Sequence, residues 1–450
     1  VRIAVIGGGV SGLVAAHLLA EHHDVRLFEA APKIGGHTYT QKVEENGREI
    51  PVDLGFIVYN ERTYPLFSRL LADLGVATKA SSMSFSVRCE TSGFEYNGTN
   101  LNTLFAQRRN LLSPRFYRLL RGILRFHQRA PSLLAASENP TLGDWLADEG
   151  FRGPFVSHYL VPMVSAIWSA EPENVMAFPA RSLASFLDSH GMLTVEDRPV
   201  WRVVVGGSRR YIAPLVARFA DRIAVATPVD WIRRREDGVY LKPRGAEEER
   251  FDRVVIATHS DQALRLLADA SPAEREILEA IPYRENDVVL HTDARFLPRR
   301  PLARASWNYH LNPPTPGAGP QMTYWMNLLQ GLSDVGAERN YCVTLNRTAE
   351  IAPETILHQL TMAHPVYTSA SVAAQRRWPE INGGRGTYFC GAYWGFGFHE
   401  DGVKSAYRVA EAIAAEAGGA GDDAAWTGGT RDGAAWDAAT PAETGVEVAG

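Results

Sequence analysis

A glycine cluster near the N-terminus limits the fold of this chain more than any other feature. Arg2 to Ile6 is rich in branched residues and reads as a strand. It runs into Gly7-Gly8-Gly9-Val10-Ser11-Gly12, after which Leu13, Val14, Ala16, His17 and Leu18 fall at helical spacing. A second apolar run, Val25-Arg26-Leu27-Phe28-Glu29, closes a βαβ unit within about thirty residues, the size of half a nucleotide-binding fold. Within this G-x-G-x-x-G pattern Gly7 permits the tight turn, Gly9 lets a pyrophosphate approach the backbone and Gly12 allows close helix packing. The helix N-terminus, with Ser11 in its first turn, stabilises the anion. Glu29 ends the next strand, where a carboxylate accepts hydrogen bonds from both hydroxyls of an adenosine ribose and repels a 2′-phosphate. A dinucleotide is expected, and the fingerprint by itself leaves FAD and NAD both open.

With 450 residues the chain exceeds what one hydrophobic core organises, so two domains are expected. Strands over Ile223 to Val225, Val239 to Leu241 and Val254 to Ala257, set around the turn Glu236-Asp237-Gly238, read as the first domain resumed. Between them Asn110 to Leu187 is mostly helical, interrupted at Pro114, Pro131, Pro140, Pro154 and Pro172. A second insertion, Ser271 to Pro379, carries sheet-forming residues over Val288 to His291 and Thr323 to Leu328. The expected fold is α/β, with a Rossmann-like dinucleotide-binding domain assembled from 1–95, 200–270 and 380–417. A discontinuous α+β substrate domain is expected from 96–199 and 271–379. The remainder, 418–450, is dominated by Gly, Ala, Asp and Thr and reads as a disordered tail.

Forty-six basic against fifty-one acidic residues give a formal charge of −5, so no global positive field draws the protein to nucleic acid. The three cysteines, Cys89, Cys342 and Cys390, are far apart, which supports neither a disulfide framework nor a CxxC metal site and suits a cytoplasmic setting. No metal ligand set is expected. Neither a secretory signal nor a membrane span is expected, which leaves a soluble or interfacial protein. Ser113-Pro114 is a good N-cap and first helical residue, and Pro131 stops the helix. On it Arg115, Arg118, Arg121, Arg125 and Arg129 share one face, with Phe116, Leu119, Leu120, Ile123 and Leu124 opposite, and no acid lies between Glu95 and Glu138. This reads either as a solvated face or as a contact with anionic lipid head groups at the inner face of a membrane.

Lys33-Ile34-Gly35-Gly36-His37-Thr38 and Val52-Asp53-Leu54-Gly55-Phe56-Ile57 follow the fingerprint, and with them the sequence resembles the flavin amine oxidase superfamily. The resemblance continues in Gly206-Gly207-Ser208, in Thr227-Pro228-Val229, in Asp252 to Thr258, in Tyr388-Phe389-Cys390-Gly391 and in Asp401-Gly402-Val403. It implies a glutathione-reductase-type domain, an amine-oxidase-like architecture and FAD as cofactor. The residues it points to are Gly36, His37, Thr38, Gly55, Phe56, Ile57, Val229, Thr258, Gly391, Asp401, Gly402 and Val403, the last helix directing its N-terminus at the flavin. His37 stands where the family usually has arginine, and Ala392 where it has an acid. The lysine that many members place on the strand facing the flavin has no counterpart in Tyr283 to Asp293. Cys390 sits beside the family's glycine, not at the position of a covalent flavin link, so non-covalent FAD is expected.

The stretches Leu54 to Asn60 and Gly391 to Gly402 resemble most a bacterial subfamily whose genes accompany cyclopropane fatty-acid synthase-like methyltransferases, some members being similar to flavoprotein desaturases of methylated fatty acyl chains. This implies hydride removal from an unsaturated or methyl-branched acyl chain of a phospholipid, with a lipid methyltransferase as partner. Tyr393, Trp394, Phe396 and Phe398, separated by glycines, are expected to wall an apolar slot in which Trp394 and Phe398 position the reacting carbon. His399 and His291 are the candidate proton acceptors. Two other readings stay open: a flavin amine oxidase acting on a hydrophobic amine, and a non-catalytic flavin-binding scaffold for a lipid-modifying partner.

Overall fold

The computed structural model describes residues 1–136, 138–194, 198–312 and 319–418, so all but the first residue of the segment read as a tail lies outside the described residues. Strand Arg2–Ile6 is the centre of a five-stranded parallel sheet. Asp24–Phe28 and Ile223–Ala224 lie on one side of it, Arg253–Ile256 and Thr387–Phe389 on the other. Near-continuous apolar strands such as Ile3-Ala4-Val5-Ile6, fully buried, suit a parallel sheet covered on both faces. Helix Val10–Leu19 covers one face together with the terminal helix His399–Gly418, and the two approach closely at Gly402, where a Cβ would lie 2.8 Å from Ser11 Oγ and from Val10 Cγ1. A three-stranded antiparallel sheet, Val229–Arg235, Gly238–Pro243 and Glu249–Phe251, turns at Gly238 as its sequence demands.

The second layer is a seven-stranded mixed sheet in the order Ile356–Pro365, Tyr283–His291, Cys342–Leu345, Met322–Trp325, Trp307–Leu311, Phe85–Cys89 and Phe94–Asn97. Helices Pro114–Arg129, Leu142–Asp148, Val161–Trp168 and Ala180–Ser189 pack beside it around a separate aromatic core. No helix among the described residues is long and apolar enough to cross a membrane.

Three sequence-drawn boundaries move. Phe85–Cys89, assigned to the dinucleotide domain, and Phe94–Asn97, split by the boundary after residue 95, both extend the seven-stranded sheet, because Phe85–Cys89 pairs in parallel with Trp307–Leu311. Helix Pro272–Glu279, helix Ser369–Arg376 and Trp378, assigned to the substrate domain, bury Ile277, Leu278, Ala374 and Trp378 in the core of the parallel sheet. The apolar run Thr323 to Leu328 is strand only to Trp325, and Met326–Leu329 is helical. In the arginine helix Ser113 caps as expected, its Oγ accepting from Phe116 N at 3.3 Å, but Leu124 is 57% exposed and does not join the buried face.

Candidate active site

A cavity of about 1740 Å³ runs between the two layers, beyond the roughly 300–1,000 Å³ of an ordinary small-ligand pocket and large enough for a dinucleotide with a second ligand. One end is built from main chain. Gly7 turns at φ 105°, and its N–H donates to Phe28 O at 2.8 Å. Gly12 has no room for a side chain, since a Cβ there would lie 1.9 Å from Gly7 O. Gly9 is different: a Cβ there meets nothing within 4 Å and would project into open space beside the uncapped N-terminus of helix Val10–Leu19. This cradle fits a pyrophosphate. Gly36, at φ 52°, closes over it with its Cβ position 3.0 Å from Gly9 Cα, and Gly35 N donates to Gly8 O at 2.7 Å.

The Glu29 carboxylate is held ready by two amides, Oε2 accepting from Gly8 N at 2.7 Å and Oε1 from Ala31 N at 2.8 Å. Each oxygen keeps a lone pair for a ribose hydroxyl. Of the residues expected at the cofactor, Gly7, Gly9, Ser11, Glu29, Gly36, His37, Gly55, Phe56, Ile57, Val229, Thr258 and Gly391 line the cavity. Gly12, Thr38, Asp401, Gly402 and Val403 stand behind the wall and shape it. Asp401 does so most directly: its buried Oδ2 accepts from Phe396 N and Phe398 N, both at 3.0 Å, and fixes the glycine-spaced loop. Burial raises its pKa to about 6, against the lowering effect of those amides. The thiol of Cys390 is buried in the parallel-sheet core and is absent from the cavity wall, so it is not placed for a flavin link.

Thr38, Tyr211 and His399 form one buried hydroxyl–imidazole network, with Thr38 Oγ1 to Tyr211 OH at 2.6 Å and His399 Nε2 at 3.0 Å and 3.2 Å from the two oxygens. The His399 ring stacks on Phe56 at 3.6 Å, and burial holds its pKa well below the usual histidine range. His399 thus positions the cofactor loop with a neutral ring whose Nε2 is already occupied. Asp53 performs a similar task one layer deeper, where its carboxylate accepts from Thr40 Oγ1 at 2.5 Å, Ser208 N at 2.9 Å and Gln330 Nε2 at 2.7 Å. Burial lifts its pKa to about 7.

Two expected catalytic residues lie elsewhere. On strand Tyr283–His291 Val288 enters the cavity wall, while His291, just past a register shift after Leu290, does not line it. His291 Nε2 meets Thr344 Oγ1 at 2.7 Å and its ring packs on Phe296. Trp394 turns away from the cavity into the parallel-sheet core, its ring 4.9 Å from that of Tyr393. Phe398 does face the cavity, as does Phe396.

The aromatic wall is completed by residues that sequence reasoning missed. Phe186 stacks on Phe398 with centroids 5.2 Å apart, Trp168 lies 4.6 Å from Phe186, and Trp168 Nε1 donates to Phe396 O at 3.2 Å. His190 caps helix Ala180–Ser189 in the same wall. Its Nδ1 lies 2.9 Å from Phe186 O, an acceptor only, so Nδ1 carries the proton and Nε2 keeps its lone pair. Burial lowers the pKa of His190 to about 4, which keeps the ring neutral. Its sequence signal was slight, a histidine at the end of one amphipathic helix before Gly191.

Around this wall the cavity is lined by Tyr96, Met163, Ile167, Leu345, Leu360 and Met362, and no lysine lines it among the described residues. The described residues hold no cluster of metal-ligating side chains. A family model described as flavin containing amine oxidoreductase matches residues 10–414. Amine oxidase A of the dog, Canis lupus familiaris, is 46% identical over 77 residues, which are 17% of this chain and 14% of that protein. The curated relatives are matched over 14% to 64% of their length. Among solved structures, cyclohexylamine oxidase of Brevibacterium oxydans superposes with a TM-score of 0.67 at 19% identity, over 93% of this chain and 99% of that one. A fatty acid isomerase of P. acnes that produces CLA superposes with a TM-score of 0.64 at 16% identity, over 92% and 98%.

Proposed function

Since the chain belongs to the flavin containing amine oxidoreductase family, an FAD-binding family, we propose that it removes hydride from an unsaturated or methyl-branched fatty acyl chain and leaves a new double bond. The observation that carries this reading is the substrate half of the cavity. Its wall is mainly aromatic, aliphatic and thioether, and strand Tyr283–His291, on which many family members carry a lysine, presents Tyr283, Glu285 and Val288 and no cation. An acyl chain gains from leaving water for such a wall by about 0.8 kcal/mol per methylene, whereas an unpaired ammonium is penalised there. The fatty acid isomerase of like fold supports the same direction.

When bound, FAD supplies a two-electron acceptor that takes hydride from a carbon activated by a neighbouring double bond and passes the electrons to dioxygen or a carrier. The chain's own residues do the rest. Glu29, the glycine cradle and the Val229 backbone would hold the cofactor, and the Phe186–Phe398 stack would position the acyl chain in the cavity. Trp168 ties that stack to the loop fixed by Asp401. Loss of hydride leaves electron-poor carbon whose adjacent C–H is strongly acidic, so the neutral Nε2 of His190, although a weak base, suffices to take the proton. Residues that close the apolar wall exclude water from this step.

The test is anaerobic mixing of the FAD-loaded protein with a phospholipid whose acyl chain is monounsaturated, with or without a methyl branch. Visible flavin absorbance is expected to bleach as the lipid gains one double bond. Oxidation of a hydrophobic amine is the second reading, favoured by the Glu285 carboxylate in the cavity wall, which can pair with an ammonium. Bleaching by amines with lipids inert moves the assignment there, and bleaching by neither favours a non-catalytic flavin scaffold.

A further inference from the structure

A second cavity, of about 270 Å³, opens on the substrate domain where the turn Arg108–Leu112 meets helix Pro114–Arg129. Arg109 and Arg115 stand in its wall beside Ser113 and His158, and no carboxylate lines it among the described residues. Asn110 also lines it and is 4% exposed, yet its Nδ2 has no hydrogen-bond partner among the described residues. A buried N–H donor without an acceptor is costly, and a turn of the Asn110 side chain toward the cavity would let a bound anion satisfy it. Among the described residues Arg115 reaches only the ring of His158, Nη2 to Nε2 at 3.2 Å, and Arg109 only Gly93 O at 3.4 Å, so both guanidiniums keep donors for a ligand.

The rim of this cavity is apolar and exposed. Leu112 is 89% exposed, and Leu111 and Tyr117 beside it are each 46% exposed, tied together by the hydrogen bond from Tyr117 OH to Leu111 O. Further along the helix Arg118 and Arg121 make no ion pair or hydrogen bond among the described residues, whereas Arg125 and Arg129 are taken up by Glu149. The arginine face therefore divides: its C-terminal end stabilises the fold, and its N-terminal end is left with unpaired positive charge around exposed leucines. That pairing of basic and apolar groups is the chemistry of an interfacial contact.

We propose that the cavity at Arg109, Asn110 and Arg115 seats the phosphate of an anionic phospholipid, docking the protein on a bilayer with Leu112 and Tyr117 sunk beside the head group. The site is separate from the aromatic-walled cavity and stands whether or not the substrate is an acyl chain. Co-flotation of the FAD-loaded full chain with phosphatidylcholine vesicles, with and without phosphatidylglycerol, tests it. Binding is expected only with phosphatidylglycerol, weakened by salt. Each arginine near such a surface is worth about fivefold in affinity, so Arg109→Gln with Arg115→Gln is expected to weaken binding about twenty-five-fold at unchanged flavin content and melting temperature. Leu112→Gln, which adds no charge to the cavity it lines, is expected to weaken vesicle binding as well and covers the case in which the double variant misfolds. Equal vesicle binding by wild type and a folded double variant overturns the proposal. So does tight binding of inorganic phosphate by a protein that ignores the vesicles, which makes the cavity a soluble-anion site.

Discussion

At the glycine end of the main cavity the ligand surface is main chain, held by bonds such as Gly7 N to Phe28 O and Gly35 N to Gly8 O, whereas at the far end it is side chain, assembled from Trp168, Phe186, His190 and Phe398. The first end has almost no freedom to change, because several of its positions exclude any Cβ. The second can exchange one ring for another with the backbone left in place. A fold built this way keeps its cofactor while its substrate varies, and this is why relatedness to amine oxidases leaves the substrate open.

The comparison breaks most sharply at two glycines. Gly12→Val is expected to cost more than about 4 kcal/mol, since its Cβ falls 1.9 Å from Gly7 O, and to yield flavin-free, poorly folded protein. Gly9→Val, with open space around its Cβ, is expected to retain the melting temperature of the cofactor-free wild type and still fail to bind FAD. Equal flavin content in Gly9→Val and wild type removes the pyrophosphate from the cradle. At the other end, His190→Gln is expected to slow anaerobic flavin reduction by about a thousandfold with FAD retained, the usual reach of a lost proton acceptor. A rate within threefold of wild type gives the proton to another group. Phe398→Ala is expected to slow reduction about a hundredfold through misplacement of the substrate, again without loss of flavin, which stopped-flow absorbance reads directly.

The smallest effect sits where the two ends join. The folded-state pKa of Asp401, about 6, lies above its ordinary value of 3.8, so its contribution to stability is fully present below pH 3.8 and is lost as pH rises through 6. Asp401→Asn keeps an acceptor for Phe396 N and Phe398 N and has no charge to desolvate. Thermal unfolding is therefore expected to show the variant gaining on wild type between pH 4 and 6, by at most about 3 kcal/mol, with a constant difference above pH 7. A difference independent of pH means that Asp401 is not the neutralised group.

The glycine end was legible in the sequence because main-chain conformation writes itself into residue type: Gly7, Gly12 and Gly36 are there for lack of a side chain, and Glu29 follows at a spacing set by one helix and one strand. The aromatic end was not, because which way a ring points is decided by register and packing. Glu285, Val288 and His291 stand three residues apart on one strand, and the first two line the cavity while His291 does not, so simple alternation does not tell them apart. Trp394 and Phe398 share a glycine-rich loop, yet one enters the core and the other the cavity. Trp168 lies on a helix, Val161–Trp168, apolar on nearly all sides, from which no preferred face can be read. The domain boundaries moved for the same reason, since nothing local announces that Phe85–Cys89 will pair with a strand more than two hundred residues away.

Asp53 has a further consequence, one that concerns the order in which the molecule is assembled. Its backbone N–H donates to Gln330 Oε1 at 2.9 Å and its carboxylate holds Ser208, partners separated from it by 277 and 155 residues. The hairpin that carries it emerges in synthesis well before the groups that satisfy its buried carboxylate. Until then the carboxylate stays hydrated, and the segment between the glycine turn and Asp53 cannot close. Contacts of such long sequence separation make folding slow, because the closure entropy of the intervening loop is lost before the contact forms. The cofactor cradle is thus made before the distant residues that complete its surroundings, and it waits for them.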